Sequence, residues 1–556
     1  MRRPRWAPAP LPPAQRRNHG PGLQPASIGI EASKALTPSD ESRTEVVVVG
    51  AGIAGLTAAA LLAKQGLQVD LLEAHRQSGG CAGTFRRGPY VFDVGATQVA
   101  GLEDGGAGHP AGIHARLFRH LGVAPPGAVP LDPGCVVDLG DGLEPVSIWR
   151  DPERWHQERL RQFPGSGRFW ALCDAVHRAN WAFASQDPVL PPRTWWDLGQ
   201  LLGAMGPGTL ASGLLTTTTV ADLMQLTGCA ADGRLRRFLD LQLKLYSQEP
   251  ADRTAALYGA TVLAMVQEPL GLWHLEGSMQ ALSDSLEQAL AQQGGRLRLR
   301  HRVERLQPPA QPDDRWQITG RHAGARAGAP RTAEADFSLT ASEVVVTLPP
   351  QSLPALLGDS LPAGYRRRLE NLHEPSGALV FYGAVERDKL PPGCPSHLQL
   401  EATEPGSLFV SVSQDGDGRA PAGRATVIAS VFTPAHPWFG GEEEADYQAR
   451  KQQAMAAIQR GLEHLLGVGP ADWLHGELAT PRGFAGWTGR PWGYVGGLGQ
   501  HPSRFGPFGL ASRTPLAGLW LCGDAIHPGE GTAGVSLSAL MACRQLLARR
   551  GVDLRP

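Results

Sequence analysis

The glycine-rich segment GAGIAG at residues 50–55 constrains the fold of this chain more than any other part of its sequence. It directly follows an all-apolar run at residues 46–49, which is typical of a strand buried on both faces of a parallel sheet. Residues 56–64 then predict a helix, and residues 69–72 predict a second strand. This order of elements predicts an α/β fold that begins with a Rossmann-like unit.

The glycines of this turn have separate physical tasks. Gly50 permits the tight turn, Gly52 lets the backbone approach a pyrophosphate, and Gly55 lets the helix pack closely on the strand. The helix N-terminus then faces the phosphate charge. Glu73 ends the second strand, where its carboxylate can accept hydrogen bonds from ribose hydroxyls. A glycine-rich turn in an unrelated sheet is the alternative to a dinucleotide site. The predicted dinucleotide contacts are Gly50, Gly52, Ile53, Ala54, Gly55 and Glu73.

A second glycine-rich segment near the end of the sequence complements the first. Residues 518–522 predict a strand, Gly523 allows a close approach, and Asp524 can hold ribityl or phosphate-linked hydroxyls. A helix predicted from about residue 532 to 549 begins beside this turn, and its N-terminus can point at the N1/O2 edge of a flavin. Its partial positive charge would stabilise an anionic reduced flavin. The pair of segments predicts FAD rather than NAD alone. The predicted contacts here are Gly523, Asp524, Gly534 and Val535.

Two further segments are similar to motifs of flavoproteins in the amine oxidase and phytoene desaturase superfamily. GGCAGTF at residues 79–85 matches a segment that passes beneath the pyrophosphate, although Cys81 stands where many members have arginine. YVFDVGAT at residues 90–97 resembles the F-D-x-G segment, whose backbone lies close to the flavin; a turn formed by Asp93 is the alternative. Val303 matches the position whose backbone holds the adenine. The resemblance implies cofactor contacts from Gly79, Gly80, Gly95, Ala96, Thr97 and Val303.

The chain resembles the phytoene desaturase and carotenoid isomerase family of FAD-dependent oxidoreductases over nearly all of residues 45–549. FDVGATQVAGLE, SIWRDPERW, RQFPGSGRFW, DPVLPPR and LCGDAIHPGEGTAGVS are most similar to the cyanobacterial type of C-3',4' carotenoid desaturase. The resemblance implies desaturation of acyclic or monocyclic hydroxylated carotenoids that lead to myxoxanthophyll-type pigments. A carotenoid cis-trans isomerase, a flavin amine oxidase and a non-catalytic FAD- or carotenoid-binding protein are the alternatives.

The predicted elements suggest an FAD-binding Rossmann-like domain interleaved with a mixed α+β substrate domain. The FAD-binding domain is predicted at residues 45–112, 274–350 and 509–550, and the substrate and membrane-facing domain at residues 113–273 and 351–508. Residues 1–44 are rich in Pro and Arg and predict a disordered extension. An organelle transit peptide or an overcalled start codon would look the same.

His527 and Glu530 in the closing segment are the candidate catalytic residues, because either could accept or relay a proton near the flavin. Hydrogen bonding to the loop backbone or to solvent is the alternative for both. The seven cysteines form no CxxC pair and no Cys/His cluster with zinc spacing, so no metal site is predicted. Reduced cysteines are the default in the cytosol.

Charge and hydropathy restrict the partners. The chain has 52 Lys and Arg against 53 Asp and Glu, which argues against a nucleic-acid binder. It has neither a long apolar run that predicts a transmembrane helix nor the apolar core of a signal peptide. An enzyme acting on a carotenoid must then reach the bilayer from its surface, so peripheral association at the cytoplasmic face is expected. Residues 198–221 are the predicted contact. The electron acceptor is left unspecified.

Overall fold

The computed structural model describes residues 42–106, 109–311, 313–323, 336–441 and 443–556. Its strands are β1 Arg43–Val49, β2 Val69–Leu72, β3 Thr84–Arg87, β4 Tyr90–Asp93, β5 Val99–Ala100, β6 Ala128–Pro130, β7 Cys135–Asp138, β8 Val146–Ile148, β9 Leu272–Leu275, β10 Arg296–Arg298, β11 His301–Gln307, β12 Trp316–His322, β13 Phe337–Val346, β14 Gly377–Glu386, β15 His397–Leu400, β16 Leu408–Val412, β17 Arg424–Thr433, β18 Trp473–Ala479 and β19 Leu519–Leu521.

The helices alternate with these strands at both ends of the chain and cluster in its middle. They are α1 Ile53–Lys64, α2 Ile113–Leu121, α3 Pro152–Gln162, α4 Gly167–Ala184, α5 Trp195–Ala204, α6 Pro207–Gly213, α7 Val220–Thr227, α8 Gly233–Ser247, α9 Ala256–Leu263, α10 Gln280–Gln292, α11 Leu353–Leu357, α12 Ala363–Glu370, α13 Glu444–Leu466, α14 Pro481–Thr488 and α15 Gly531–Ala548.

The first sheet is parallel at its centre, in the order β10-β2-β1-β13, and β19 pairs with the C-terminal half of β13. The antiparallel strands β12 and β11 extend it past the N-terminal half of β13. Val46 to Val49 are almost entirely buried because helices cover the sheet. This topology confirms the predicted α/β fold with a Rossmann-like unit at its start.

Helix α1 lies between the sheet and the helices α10 and α15. Its residues from Ile53 to Ala63 are all buried, and most of them are alanine, glycine or leucine. Small side chains let the two neighbouring helices approach closely, so the N-termini of α1 and α15 lie near the same edge of the sheet. That edge carries the carboxyl ends of β1 and β19, where ligands of open α/β sheets bind.

The second sheet runs in the order β18-β14-β17-β16-β15-β7-β8. Its strands come from two segments of the chain far apart in sequence, because β15 pairs with β7. Helices α3, α4, α7, α8 and α9 pack with β7 and β8 of this sheet in one apolar cluster. Because strands from both segments pair in one sheet, we propose that residues 113–273 and 351–508 form one domain, as predicted above.

One local expectation was wrong. Strand β1 begins at Arg43, before the expected boundary at Glu45, because Arg43 and Thr44 pair with β13. The rest of the predicted extension, residues 1–41, lies outside the described residues.

The segment expected to contact a membrane folds as helices α5 and α6. Several large apolar side chains on it are exposed, with Leu210 61% and Leu214 83% exposed. In contrast, Leu215 packs partly against the core of the helical region. None of the helices within the described ranges is long and apolar enough to cross a bilayer.

Candidate functional site

A continuous cavity of about 760 Å³ joins the turn after β1, the segment before α15 and the helical region. Almost every residue predicted to contact a cofactor, together with both catalytic candidates, lies on its wall. Gly55 and Val303 do not: Gly55 faces the carbonyl group of Gly50 in the turn, and Val303 is a partly buried residue of β11 that packs against the core. The predicted residues on the wall are Gly50, Gly52, Ile53, Ala54, Glu73, Gly79, Gly80, Gly95, Ala96, Thr97, Gly523, Asp524, His527, Glu530, Gly534 and Val535.

The turn after β1 leaves an open cradle. Gly50 has a φ of +98°, in the left-handed region that favours glycine. A Cβ on Gly55 would lie 1.8 Å from the carbonyl oxygen of Gly50, so this residue must lack a side chain for α1 to pack on the turn. A Cβ on Gly52 would meet no protein atom within 4 Å. The space beside Gly52 is therefore available to a ligand.

The Glu73 carboxylate is held in place by the backbone. It accepts hydrogen bonds from the amides of Ala51 and His75, each at 2.7 Å. These two bonds link the end of β2 to the cradle and leave further lone pairs on the carboxylate facing the cavity. This arrangement suits the recognition of ribose hydroxyls, which are hydrogen-bond donors.

Residues of the α14 segment complete the cradle, and the sequence did not indicate them. The Trp487 indole donates to the carbonyl of Gly80 at 3.2 Å, and Arg490 forms an ion pair with Asp524 at 2.8 Å. Both side chains line the cavity. Arg490 also acts electrostatically on Cys81, whose pKa is raised by burial. The guanidinium of Arg490 therefore lies close to Cys81, the position at which many superfamily members have an arginine.

The closing segment is built to let α15 begin at the cavity. The amide of Gly523 donates to the Ser538 hydroxyl at 3.1 Å, which ties the end of β19 to the helix. A Cβ on Gly534 would lie 2.7 Å from the carbonyl oxygen of Gly529, so only glycine fits there. Consequently the first turn of α15 faces the cavity with free amide groups and a partial positive charge.

His527 and Glu530 are half-buried on the cavity wall, and both have shifted pKa values. Loss of solvent lowers the pKa of His527 to about 4, and loss of solvent together with the charge of Asp524 raises the pKa of Glu530 to about 7. The Gln248 amide lies beside Glu530, and the backbone of Gln248 is left-handed, with φ of 59°. Among the described residues, Nδ1 of His527 and Oε1 of Glu530 have no hydrogen-bond partner. Near pH 7, the imidazole of His527 is therefore neutral and the carboxyl group of Glu530 is partly ionised, and both face the cavity.

Asp93 supports the site without touching it. Its Oδ1 accepts from the backbone amide of Met279 at 2.8 Å, at the N-terminus of α10, and from the hydroxyl of Thr84 at 2.9 Å. Its Oδ2 pairs with the buried guanidinium of Arg419 at 3.1 Å. Asp93 therefore anchors the loop whose following residues, Gly95 to Thr97, line the cavity.

The part of the cavity in the helical region is mostly apolar. Helices α4, α5, α6 and α9 supply side chains that include Trp181, Phe183 and Met205. Trp170, in contrast, is a core residue that donates to Ser166, and Trp195 is exposed to solvent. Met205 lines the cavity and is 37% exposed, so the cavity reaches the surface between α5 and α6.

Curated relatives align with nearly the whole chain. A chloroplastic prolycopene isomerase of Arabidopsis thaliana is 25% identical over 92% of this chain and 84% of its own length. A hydroxyneurosporene desaturase of Cereibacter sphaeroides is 27% identical over 91% of this chain and 97% of its own length. These relatives confirm the resemblance to carotenoid desaturases and isomerases.

The solved structure of cyclohexylamine oxidase from Brevibacterium oxydans has the same fold, with a TM-score of 0.55, 17% identity, and coverage of 91% of this chain and 99% of that chain. The profile of the NAD(P)-binding Rossmann-like domain matches residues 48–109. The profile of flavin containing amine oxidoreductases matches residues 213–547. This match spans more than half of the chain. The chain therefore belongs to the flavin containing amine oxidoreductase family and is a flavin-dependent oxidoreductase.

Proposed function

We propose that this chain is an FAD-dependent carotenoid desaturase that acts at the C-3',4' bond of acyclic or monocyclic hydroxylated carotenoids. The observation that carries the proposal is the continuous cavity, which joins a dinucleotide cradle to an apolar chamber that opens between α5 and α6. A polyene is a long apolar rod, and such a chamber binds it by excluding water from its surface.

FAD fits the cradle for reasons of shape and chemistry. The open space beside Gly52 accepts a pyrophosphate, Glu73 accepts from ribose hydroxyls, and Arg490 supplies a cation. The first turn of α15 and Asp524 would hold the other half of the cofactor. When bound, the flavin supplies a two-electron acceptor for hydrogen removed from a neighbouring substrate. The protein then has to orient the polyene and accept a proton.

Desaturation would remove two hydrogens from adjacent carbons, one with its electron pair, for which a bound flavin would supply the acceptor, and the other as a proton. The developing charge is delocalised along the polyene, so the chamber needs few charged groups of its own. Glu530 is the candidate acceptor of the proton, because its pKa near 7 lets it be ionised at neutral pH and protonated afterwards. His527, with a pKa of about 4, is neutral and is a candidate relay for the proton.

The rate of flavin reduction by the polyene is expected to rise with pH through about 7, as Glu530 becomes ionised. Glu530→Gln should abolish this rise and slow reduction by about a hundredfold, the usual contribution of a general base. Stopped-flow absorption of the flavin measures both. A variant that keeps the wild-type rate and pH profile would remove Glu530 as the base.

A control for stability is needed in that experiment. The folded-state pKa of Glu530 is raised, so the protonated form favours the folded protein, and this stabilisation is lost as the pH rises through about 7. Flavin content and thermal unfolding of both proteins at each pH separate a change in rate from a loss of structure.

The reaction itself is tested by coexpression in cells that accumulate hydroxylated acyclic or monocyclic carotenoids. A product lighter by two hydrogens, with absorption shifted to longer wavelength, is the expected result. Unchanged mass with an altered cis/trans ratio would instead support isomerisation on the same scaffold, which the named activity of the Arabidopsis thaliana relative makes the second candidate. A flavin amine oxidase would release peroxide with a soluble amine.

We further propose that the protein works at the cytoplasmic face of a membrane, bound through an apolar patch around the cavity mouth. The patch consists of Trp195, Leu202, Met205, Leu210 and Leu214. Its centre, Met205, also lines the cavity, so a polyene could pass from a bilayer into the chamber without crossing water. Tryptophan and leucine on short helices suit the boundary between headgroups and acyl chains.

A further inference from the structure

Glu103 is a buried acid on the cavity wall that the proposed reaction does not use. It is 7% exposed and lines the cavity that holds Glu530 and Trp181. Among the described residues, no side chain donates a hydrogen bond to either of its carboxylate oxygens, and only the backbone amides of Gly101 and Glu103 lie close enough to favour its charged form. A buried polar group without a hydrogen-bond partner destabilises the protein, so a ligand that pairs with it removes that destabilisation.

The surroundings of Glu103 explain why the protein itself does not pair with it. Arg150 acts on it electrostatically, but the Arg150 guanidinium is engaged elsewhere. It pairs with Glu268 at 3.1 Å and donates to the carbonyls of Leu270 and Leu272. On the other side, a Cβ on Gly112 would lie 2.6 Å from Oε1 of Glu103, so the backbone is too close for a side chain to enter.

We propose that Glu103 is a specificity-determining residue that accepts a hydrogen bond from a hydroxyl group on an otherwise apolar polyene. This inference rests on the polyene substrate proposed above. A hydrocarbon has no donor to offer, whereas a hydroxyl group pairs with a carboxyl group in either protonation state. An amine cation is a poorer match, since it requires the ionised carboxylate, which burial disfavours by raising the pKa of Glu103 to about 7.

The test is a binding measurement on the purified holoenzyme. Two acyclic polyenes of equal conjugation length are compared in detergent micelles, one a hydrocarbon and the other carrying a single terminal hydroxyl group. Binding is followed by quenching of flavin fluorescence. We expect about tenfold tighter binding of the hydroxylated polyene, which corresponds to about 1.4 kcal/mol. Glu103→Leu should lose this preference while binding the hydrocarbon at least as well, and Glu103→Gln should keep part of it through its amide oxygen.

The control variant is Asp104→Leu, which removes the neighbouring carboxylate, whose side chain is 94% exposed. It should keep the wild-type preference. Equal binding of the two polyenes by the wild type, or an unchanged preference in Glu103→Leu, would overturn the inference. The absorption of the flavin is recorded in the same experiment and distinguishes reduction from binding. A Glu103-dependent preference in a protein that removes no hydrogen would support the inference and contradict the desaturase proposal.

Discussion

Gly55→Ala is expected to yield a protein that folds poorly and retains little flavin. The new methyl group would overlap the carbonyl oxygen of Gly50, at 1.8 Å, and that oxygen belongs to the backbone of a buried turn. Relief requires α1 to move away from β1, which disrupts the apolar core shared with α10 and α15. We expect a loss of about 3 kcal/mol or more in the free energy of unfolding, the upper range for overpacking. Thermal unfolding and the flavin content of the purified protein measure the effect.

Gly52→Ala separates folding from cofactor binding. Here the methyl group would meet no protein atom within 4 Å, and the backbone φ of −71° suits any residue. The fold should persist, while flavin affinity falls by about a hundredfold because the methyl group occupies the space next to the pyrophosphate. Full flavin occupancy in this variant would show that the phosphates pass elsewhere.

Gly364→Ala is the matched control for both glycine substitutions. Gly364 lies in α12, and its Cβ would have no neighbour within 4 Å. It does not line the cavity. Alanine there should leave flavin binding unchanged and raise stability by up to about 1 kcal/mol, the difference in helix propensity.

The double variant Leu210→Asp, Leu214→Asp is expected to lose most binding to lipid vesicles. Both leucines are largely exposed, at 61% and 83%, so the substitutions should not disturb the core. Burial of a leucine in an apolar phase contributes about 1.5 kcal/mol at the low end, so losing two should weaken partitioning by about a hundredfold. Cosedimentation with zwitterionic vesicles measures this without repulsion from anionic lipids. Leu215 is a poor site for the test because it packs partly in the core.

Leu143→Asp provides the comparison for the membrane experiment. Leu143 is 61% exposed, as Leu210 is, but it lies between β7 and β8 and does not line the cavity. This variant should sediment like the wild type. If the double variant also sediments normally, or if Leu143→Asp fails equally, the patch around the cavity mouth is not the membrane contact.

Local patterns accounted for the part of the site that is made of backbone. Glycine spacing predicted the cradle because only residues without a side chain allow a turn to touch a helix. The positions of these glycines can be read directly from the sequence. In the same way, the run of apolar residues before Gly50 predicted a buried parallel strand. The end of β2 just before Glu73 and the turn before α15 followed from the same reasoning.

The tertiary structure decided the contacts made by long side chains from remote segments. Arg490 reaches Asp524, and Asp93 anchors the N-terminus of α10 through the amide of Met279. Nothing in the neighbouring sequence indicates these pairings, because they depend on how the second sheet and the helical region dock against the first sheet.

The exposure of side chains and the protonation of acids could not be predicted from the sequence either. The sequence around Trp195 is equally apolar whether it forms a core or a surface patch, and only packing shows that this side chain is exposed. Glu103 and Glu530 are ordinary acids in the sequence. Their pKa values of about 7 arise from desolvation, which is a property of the assembled cavity. The sequence by itself therefore determined the fold and the cradle for a flavin, whereas the tertiary structure determined which charged and apolar side chains meet the substrate, because their burial depends on segments far apart in the chain.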